Sequence, residues 1–110
     1  MKTYTDLEQS KKLAEILPIE SADMFYTSLN RDYPWIWIDK HLMEVDDIPC
    51  WSLAALLDIM PHIQEFYPTV EKINDKFVCR YKGSGVWTNG TNPVDACVEM
   101  ILKLKEKNLL

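Results

Sequence analysis

Glycine is scarce in this chain: three residues in 110, at Gly83, Gly85 and Gly90. That excludes collagen-like repeats and glycine-rich linkers. The stretch "GSGVWTNG" holds all three but lacks the GKS or GKT ending of a phosphate loop, so it reads as a turn. Cysteine is equally scarce. Cys50, Cys79 and Cys97 stand 29 and 18 residues apart, an odd count with no Cys-x-x-Cys spacing. They read as reduced thiols of a cytoplasmic protein.

Long apolar runs are missing too. None approaches the roughly 18 residues of a membrane span, and the opening "MKTYTDLEQSKK" is too polar for a signal peptide. No membrane is expected as a partner. The glycosylation triplet at Asn89–Thr91 therefore carries no meaning.

Basic excess is absent: 12 Lys and Arg stand against 17 Asp and Glu, a net charge of −5. A nucleic-acid binder shows a basic face. The one basic cluster, Lys103, Lys105 and Lys107, falls at a helix end, where lysines complement the helix dipole. Nucleic acid is not expected as a partner. The acid excess is local, with six acids and two bases in residues 23–49.

Histidine occurs only at His41 and His62. His41-x-x-Glu44 with Asp46 and Asp47 is the one cluster resembling a ligand set. It is not HExxH, and on a strand positions 41 and 44 face opposite ways. Adjacent carboxylates such as Asp46 and Asp47 usually diverge, which removes them as an acid–base pair. His62 reads as a surface histidine. No catalytic residue, metal site or cofactor is expected.

What is present is a core-forming composition, 47% apolar, suited to one domain over residues 1–110. Thr5 with Glu8 reads as a capping box for a first helix with its stripe at Leu7, Leu13, Ala14 and Leu17, stopped by Pro18. Strands follow at 23–29 and 35–38, with a tight turn at Asp39–Lys40 into a third at 41–45. "TVEKI" and "FVCRYK" form a hairpin, and "VWT" adds a short strand. Asn92 caps the last helix, Pro93 takes its first position, and Val94, Cys97, Val98, Ile101 and Leu104 make its apolar stripe. Glu99 and Lys103 are placed for an i,i+4 pair. Consecutive short strands favour antiparallel pairing. The expectation is an α+β domain: one antiparallel sheet of four to five strands, with three helices largely on one face.

The segment "DDIPCWSLAALLDIMPHI" looks at first like a nucleophile with helpers. A reactive cysteine needs a helix N-terminus or a histidine to lower its pKa. Ser52 is the better helix start, with Trp51 stapled on Leu56, a stripe at Leu53, Leu56, Leu57 and Met60, and a stop at Pro61. Cys50 then lies outside the helix as a small buried hydrophobe, as Cys79 and Cys97 do in a strand and a helix. A thiol-dependent enzyme using Cys50 is the alternative reading.

The aromatics are more open. Tyr33, Trp35 and Trp37 alternate along one strand face. Such a face reads first as core and second as a binding surface, because exposed Trp and Tyr anchor interfaces. Sugar stacking is a minor variant.

"IPCWSLAALLDIMP" and "NPVDACVEMILKLKEKNLL" resemble a group of small uncharacterised proteins carried by prophages and mobile elements of anaerobic gut bacteria. Members share a Pro-Cys/Ala-Trp-Ser-Leu helix start, here Pro49 to Leu53, and an Asn-Pro-Val/Ile-Asp-Ala helix start, here Asn92 to Ala96. Alanine can stand where Cys50 stands, which fits packing. The resemblance implies a setting and transfers no catalytic residue. The expected function is a non-enzymatic, cytoplasmic protein-interaction module, an accessory factor of a mobile element. Its expected surface is Tyr33, Trp35, Trp37, Asp46 and Asp47, and its expected partner is a protein with a basic patch.

Overall fold

The computed structural model describes residues 1–37 and 44–110. The expected turn at Asp39–Lys40, most of the expected strand at 41–45 and the His41 side of the ligand-like cluster lie outside the described residues. The elements run in chain order as α1 (Leu7–Ala14), a 3-10 turn (Ile19–Ser21), β1 (Met24–Tyr26), β2 (Trp35–Ile36), β3 (Ile48–Cys50), α2 (Leu53–Ile59), β4 (Pro68–Ile73), β5 (Lys76–Tyr81), β6 (Val86–Gly90) and α3 (Pro93–Glu106). Three helices and antiparallel strands make an α+β globule.

The single sheet of four to five strands is corrected. The described residues form two three-stranded antiparallel sheets, ordered β2-β1-β3 and β4-β5-β6. Two features keep them apart. β3 carries Pro49, which has no N–H to donate, and such strands lie at edges. Beyond β3 the chain is already occupied: the Thr5 N–H donates to the Trp51 carbonyl at 2.9 Å, and the Leu53 N–H to the Thr3 carbonyl at 3.1 Å. The N-terminal stretch thus takes the position that β4 would need.

The first helix starts one residue later than expected. Asp6 is its cap, accepting from Gln9 N, and the Gln9 side chain accepts from Asp6 N. Thr5 is fully buried instead. Its hydroxyl accepts the Trp51 N–H at 3.1 Å and shares a 2.7 Å bond with Ser10, so it cannot also cap. Ser52 caps α2 as expected, accepting from Ala55 N at 3.2 Å while donating to Asp23. Asn92 caps α3 through Asp95 N at 2.9 Å, with Pro93 in the first turn.

The hairpin of β4 and β5 pairs Val70 with Cys79, and β6 adds Thr88 opposite Cys79. α3 packs across this second sheet, α2 against α3, and α1 against β3. All five expected stripe residues of α3 are buried. Lys103 departs from its expected pairing with Glu99 and donates to the Trp87 carbonyl at 3.1 Å, tying α3 to β6. The N-terminus is tied to α3 as well. Lys2 bridges Asp6 and Asp95, each at 2.8 Å. Burial pushes the Asp95 carboxyl up, but hydrogen bonds from Lys2, Gln9 and Asn92 outweigh it and hold it below the ordinary carboxylate value. Among the described residues no buried side-chain nitrogen or oxygen lacks a partner, and no helix is long and apolar enough to cross a membrane.

Candidate functional site

β1 is the centre of the first sheet and β2 its short edge. Register sets Met24 opposite Ile36 and Phe25 opposite Trp35. The loop between them is built by side-chain bonds: Asn30 N donates to Thr27 Oγ1, and Asp32 N to Asn30 Oδ1 at 2.8 Å. Arg31 then reaches sideways. Its guanidinium donates to the Tyr26 carbonyl at 3.1 Å and the Asp46 carbonyl at 2.8 Å. That clamp ties the loop after β1 to the acidic turn at 44–47, which leads into β3 on the side of β1 away from β2. Asp47 closes the turn by accepting the Glu44 N–H at 2.9 Å.

The five residues singled out in sequence are thereby divided. Tyr33 and Trp35 are half exposed, at 52% and 51%, with ring centroids 6.2 Å apart. Asp46 is exposed beside the clamp. Trp37 turns inward, with its ring 5.3 Å from Phe25, and Asp47 is buried in its own turn. The Trp37 N–H donates to the Asp23 carbonyl at 3.0 Å, in register with the Met24–Ile36 pair, so pairing runs on past Ile36 and Trp35 and Trp37 differ in burial along it.

Sequence reasoning missed the exposed Ile36 and Val45 and the part of Arg31. The signal for Arg31 was its position as one of only two bases in an acid-rich stretch. A cleft of about 500 Å³ adjoins the Trp37 indole, bordered among the described residues by Glu20, Asp23, Ala55 and Asp58.

Cys50 sits on the other side of β1. It is fully buried, donates to the Thr5 carbonyl at 3.3 Å and accepts from the Thr5 hydroxyl at 3.4 Å. Burial pushes its thiol up, away from the thiolate that a nucleophile needs. Cys79 and Cys97 are also fully buried, and donating its hydrogen bond to Cys79, together with burial, pushes the Cys97 thiol up. In the native protein all three thiols are expected to resist alkylation at neutral pH and to react together on unfolding. A thiol count with and without denaturant checks this, and one fast-reacting native thiol at Cys50 would sink the packing account. His62 is exposed, with its ring 4.1 Å from that of Tyr67. Among the described residues no three His, Cys, Asp or Glu side chains converge as metal ligands.

The fold and surface together define a small α+β globule with a half-exposed aromatic pair, Tyr33 and Trp35, at its first sheet. No protein-family model, curated protein or solved structure matches the chain.

Proposed function

We propose that this chain is a non-enzymatic protein-interaction module whose Tyr33, Trp35 and Asp46 surface docks a basic protein partner. The observation that supports it is the Tyr33–Trp35 pair, half exposed, with rings 6.2 Å apart and the Trp35 backbone held in the ladder opposite Phe25. An indole held in place in the free protein loses little side-chain freedom on binding, which favours its use as an anchor. Glu44 and Asp46, both exposed, and the acidic cleft by Trp37 give the neighbourhood a negative field. Such a field speeds encounter with a basic patch and repels acidic surfaces. A cytoplasmic setting and service to a mobile element belong to the same proposal and rest on the resemblance of the Pro49–Leu53 and Asn92–Ala96 motifs.

Affinity capture with the intact chain and with a Trp35→Ser variant tests the reading. The expected partner carries a basic patch and loses affinity for the variant by about 30-fold, equivalent to a ~2 kcal/mol hot spot. Asp46→Asn is expected to slow association and weaken its salt dependence. A partner bound equally by wild type and Trp35→Ser would place the docking surface elsewhere and overturn the proposal.

A further inference from the structure

Two of the three thiols meet in the core. Cys79 lies inside β5 and Cys97 is the fifth residue of α3, and neither has exposed surface. Local contacts bring the start of α3 down onto the sheet at this point. Thr88 stands opposite Cys79 in the ladder, so the two side chains share one face. The Thr88 hydroxyl donates at 2.7 Å to the carbonyl of Ala96, the residue before Cys97. Gly90 ends β6 without a side chain where the Ala96 backbone nitrogen would lie 2.8 Å from an added Cβ. Cys97 is thereby held against Cys79, and its S–H donates to the Cys79 sulfur. The Cys79 thiol in turn faces the Met60 thioether, 4.0 Å away. Cys50 takes no part, because its sulfur exchanges hydrogen bonds with Thr5.

We infer that Cys79 and Cys97 are a redox latch: under oxidising conditions they join as a disulfide that fastens α3 to β5, and under reducing conditions they remain packed thiols. Sulfurs already in contact need only a short approach to reach the ~2.05 Å of the bond. The two positions are 18 residues apart and lie on different elements, so the bond closes a loop and restricts the unfolded chain. The latch is separate from the Trp35 surface and stands whether or not that surface docks a partner.

The oxidant is a low-molecular-weight disulfide such as oxidised glutathione. The Cys79 thiolate attacks one of its sulfurs, that S–S bond breaks, and the first glutathione leaves as a thiolate that takes a proton. The Cys97 thiolate then attacks the Cys79 sulfur of the mixed disulfide and releases the second glutathione. The chain loses two hydrogens and the reagent becomes two thiols. Both protein sulfurs are shut off from solvent in the native fold. The exchange therefore runs while the chain folds, or when α3 lifts from the sheet, and the closed fold then shields the bond.

Refolding the full chain from denaturant in glutathione buffers of rising oxidised fraction tests this. The expected product is a monomer lighter by two hydrogens, with a linked Cys79–Cys97 peptide in the unreduced digest and Cys50 still free. Its Tm is expected to exceed that of the reduced chain by roughly 10–20 °C. Cys97→Ala is expected to lose the difference between the two buffers, and Cys50→Ala to keep it. Each variant is compared with itself in the two buffers, so any stability lost to the substitution cancels. Should Cys97→Ala fail to fold, the peptide map and the wild-type Tm shift still decide. A chain that keeps three free thiols, or gains glutathione adducts without a cross-link, overturns the inference. So does a bond that involves Cys50 or joins two chains. A Cys79–Cys97 bond that leaves Tm unchanged or lowers it overturns it as well, since a strained bond fastens nothing.

Discussion

Replacing Trp51 with alanine is expected to destabilise the protein by about 3–5 kcal/mol, the range for deleting a fully buried aromatic ring. Trp51 has no exposed surface and is the first of the large side chains in the core. It joins three parts of the chain at once. Its indole N–H donates to Ser21 Oγ at 2.9 Å, fixing the 3-10 turn before β1. Its backbone N–H and carbonyl are both taken by Thr5, fixing the N-terminal stretch. As the residue before the Ser52 cap it also shares the core with Leu56, the fourth residue of α2, in the staple arrangement. Alanine keeps the backbone bonds and loses the rest. Phenylalanine restores most of the apolar volume and leaves only Ser21 without its donor, a cost of about 1–3 kcal/mol. Urea unfolding of both variants measures the difference. Against a total stability of roughly 5–15 kcal/mol for such a domain, the alanine variant is left close to its limit. An alanine variant within ~1 kcal/mol of wild type would mean that the ring is not the joint described here.

Trp51 also shows what local chemistry can and cannot disclose. Its neighbour Ser52, the stop at Pro61, the Asn92–Pro93 start and the alternation of Phe77, Cys79 and Tyr81 are all written within a few residues of where they act. Capping and periodicity are local, so these elements stand where the sequence places them. Thr5 is different. Its residue type and its distance from Glu8 fit a cap, but Trp51, 46 positions away, takes its hydroxyl. The same non-local pairing decides β3. A three-residue strand with proline at its centre has no period to detect, and only its partner Met24–Tyr26 defines it. The division into two sheets follows from that pairing. At the candidate site, alternation groups Trp35 with Trp37 but cannot tell that Trp35 is half exposed while Trp37 is buried against Phe25, because that difference depends on what each indole packs on and not on the local period.

Gly90→Asn is expected to be more damaging than Gly85→Asn, although isolated glycines of a turn and a strand end look alike in sequence. At Gly85 φ is +81°, and an added Cβ meets nothing within 4 Å. The requirement there is conformational, and asparagine tolerates positive φ better than most residues, so the cost stays below about 1 kcal/mol. At Gly90 the requirement is space. A Cβ would lie 2.8 Å from the Ala96 backbone nitrogen and 3.0 Å from Asp95 Cβ. Neither atom is the loose end of a flexible chain. Both belong to the first turns of α3, which Thr88 holds by donating to the Ala96 carbonyl at 2.7 Å. Even alanine at position 90 must therefore push β6 off α3 or lift the helix start, at a cost of about 1–3 kcal/mol as overpacking, and asparagine adds to it. The helix start is also where Asp95 receives Lys2 and Gln9, so the displacement reaches the N-terminal stretch. Thermal unfolding reads the contrast, with each kcal/mol lowering Tm by roughly 4–8 °C in a domain near this size. Equal Tm values for Gly90→Asn and Gly85→Asn would show that β6 and α3 are free to separate, and that the close contact at Gly90 does not govern how the last helix seats on its sheet.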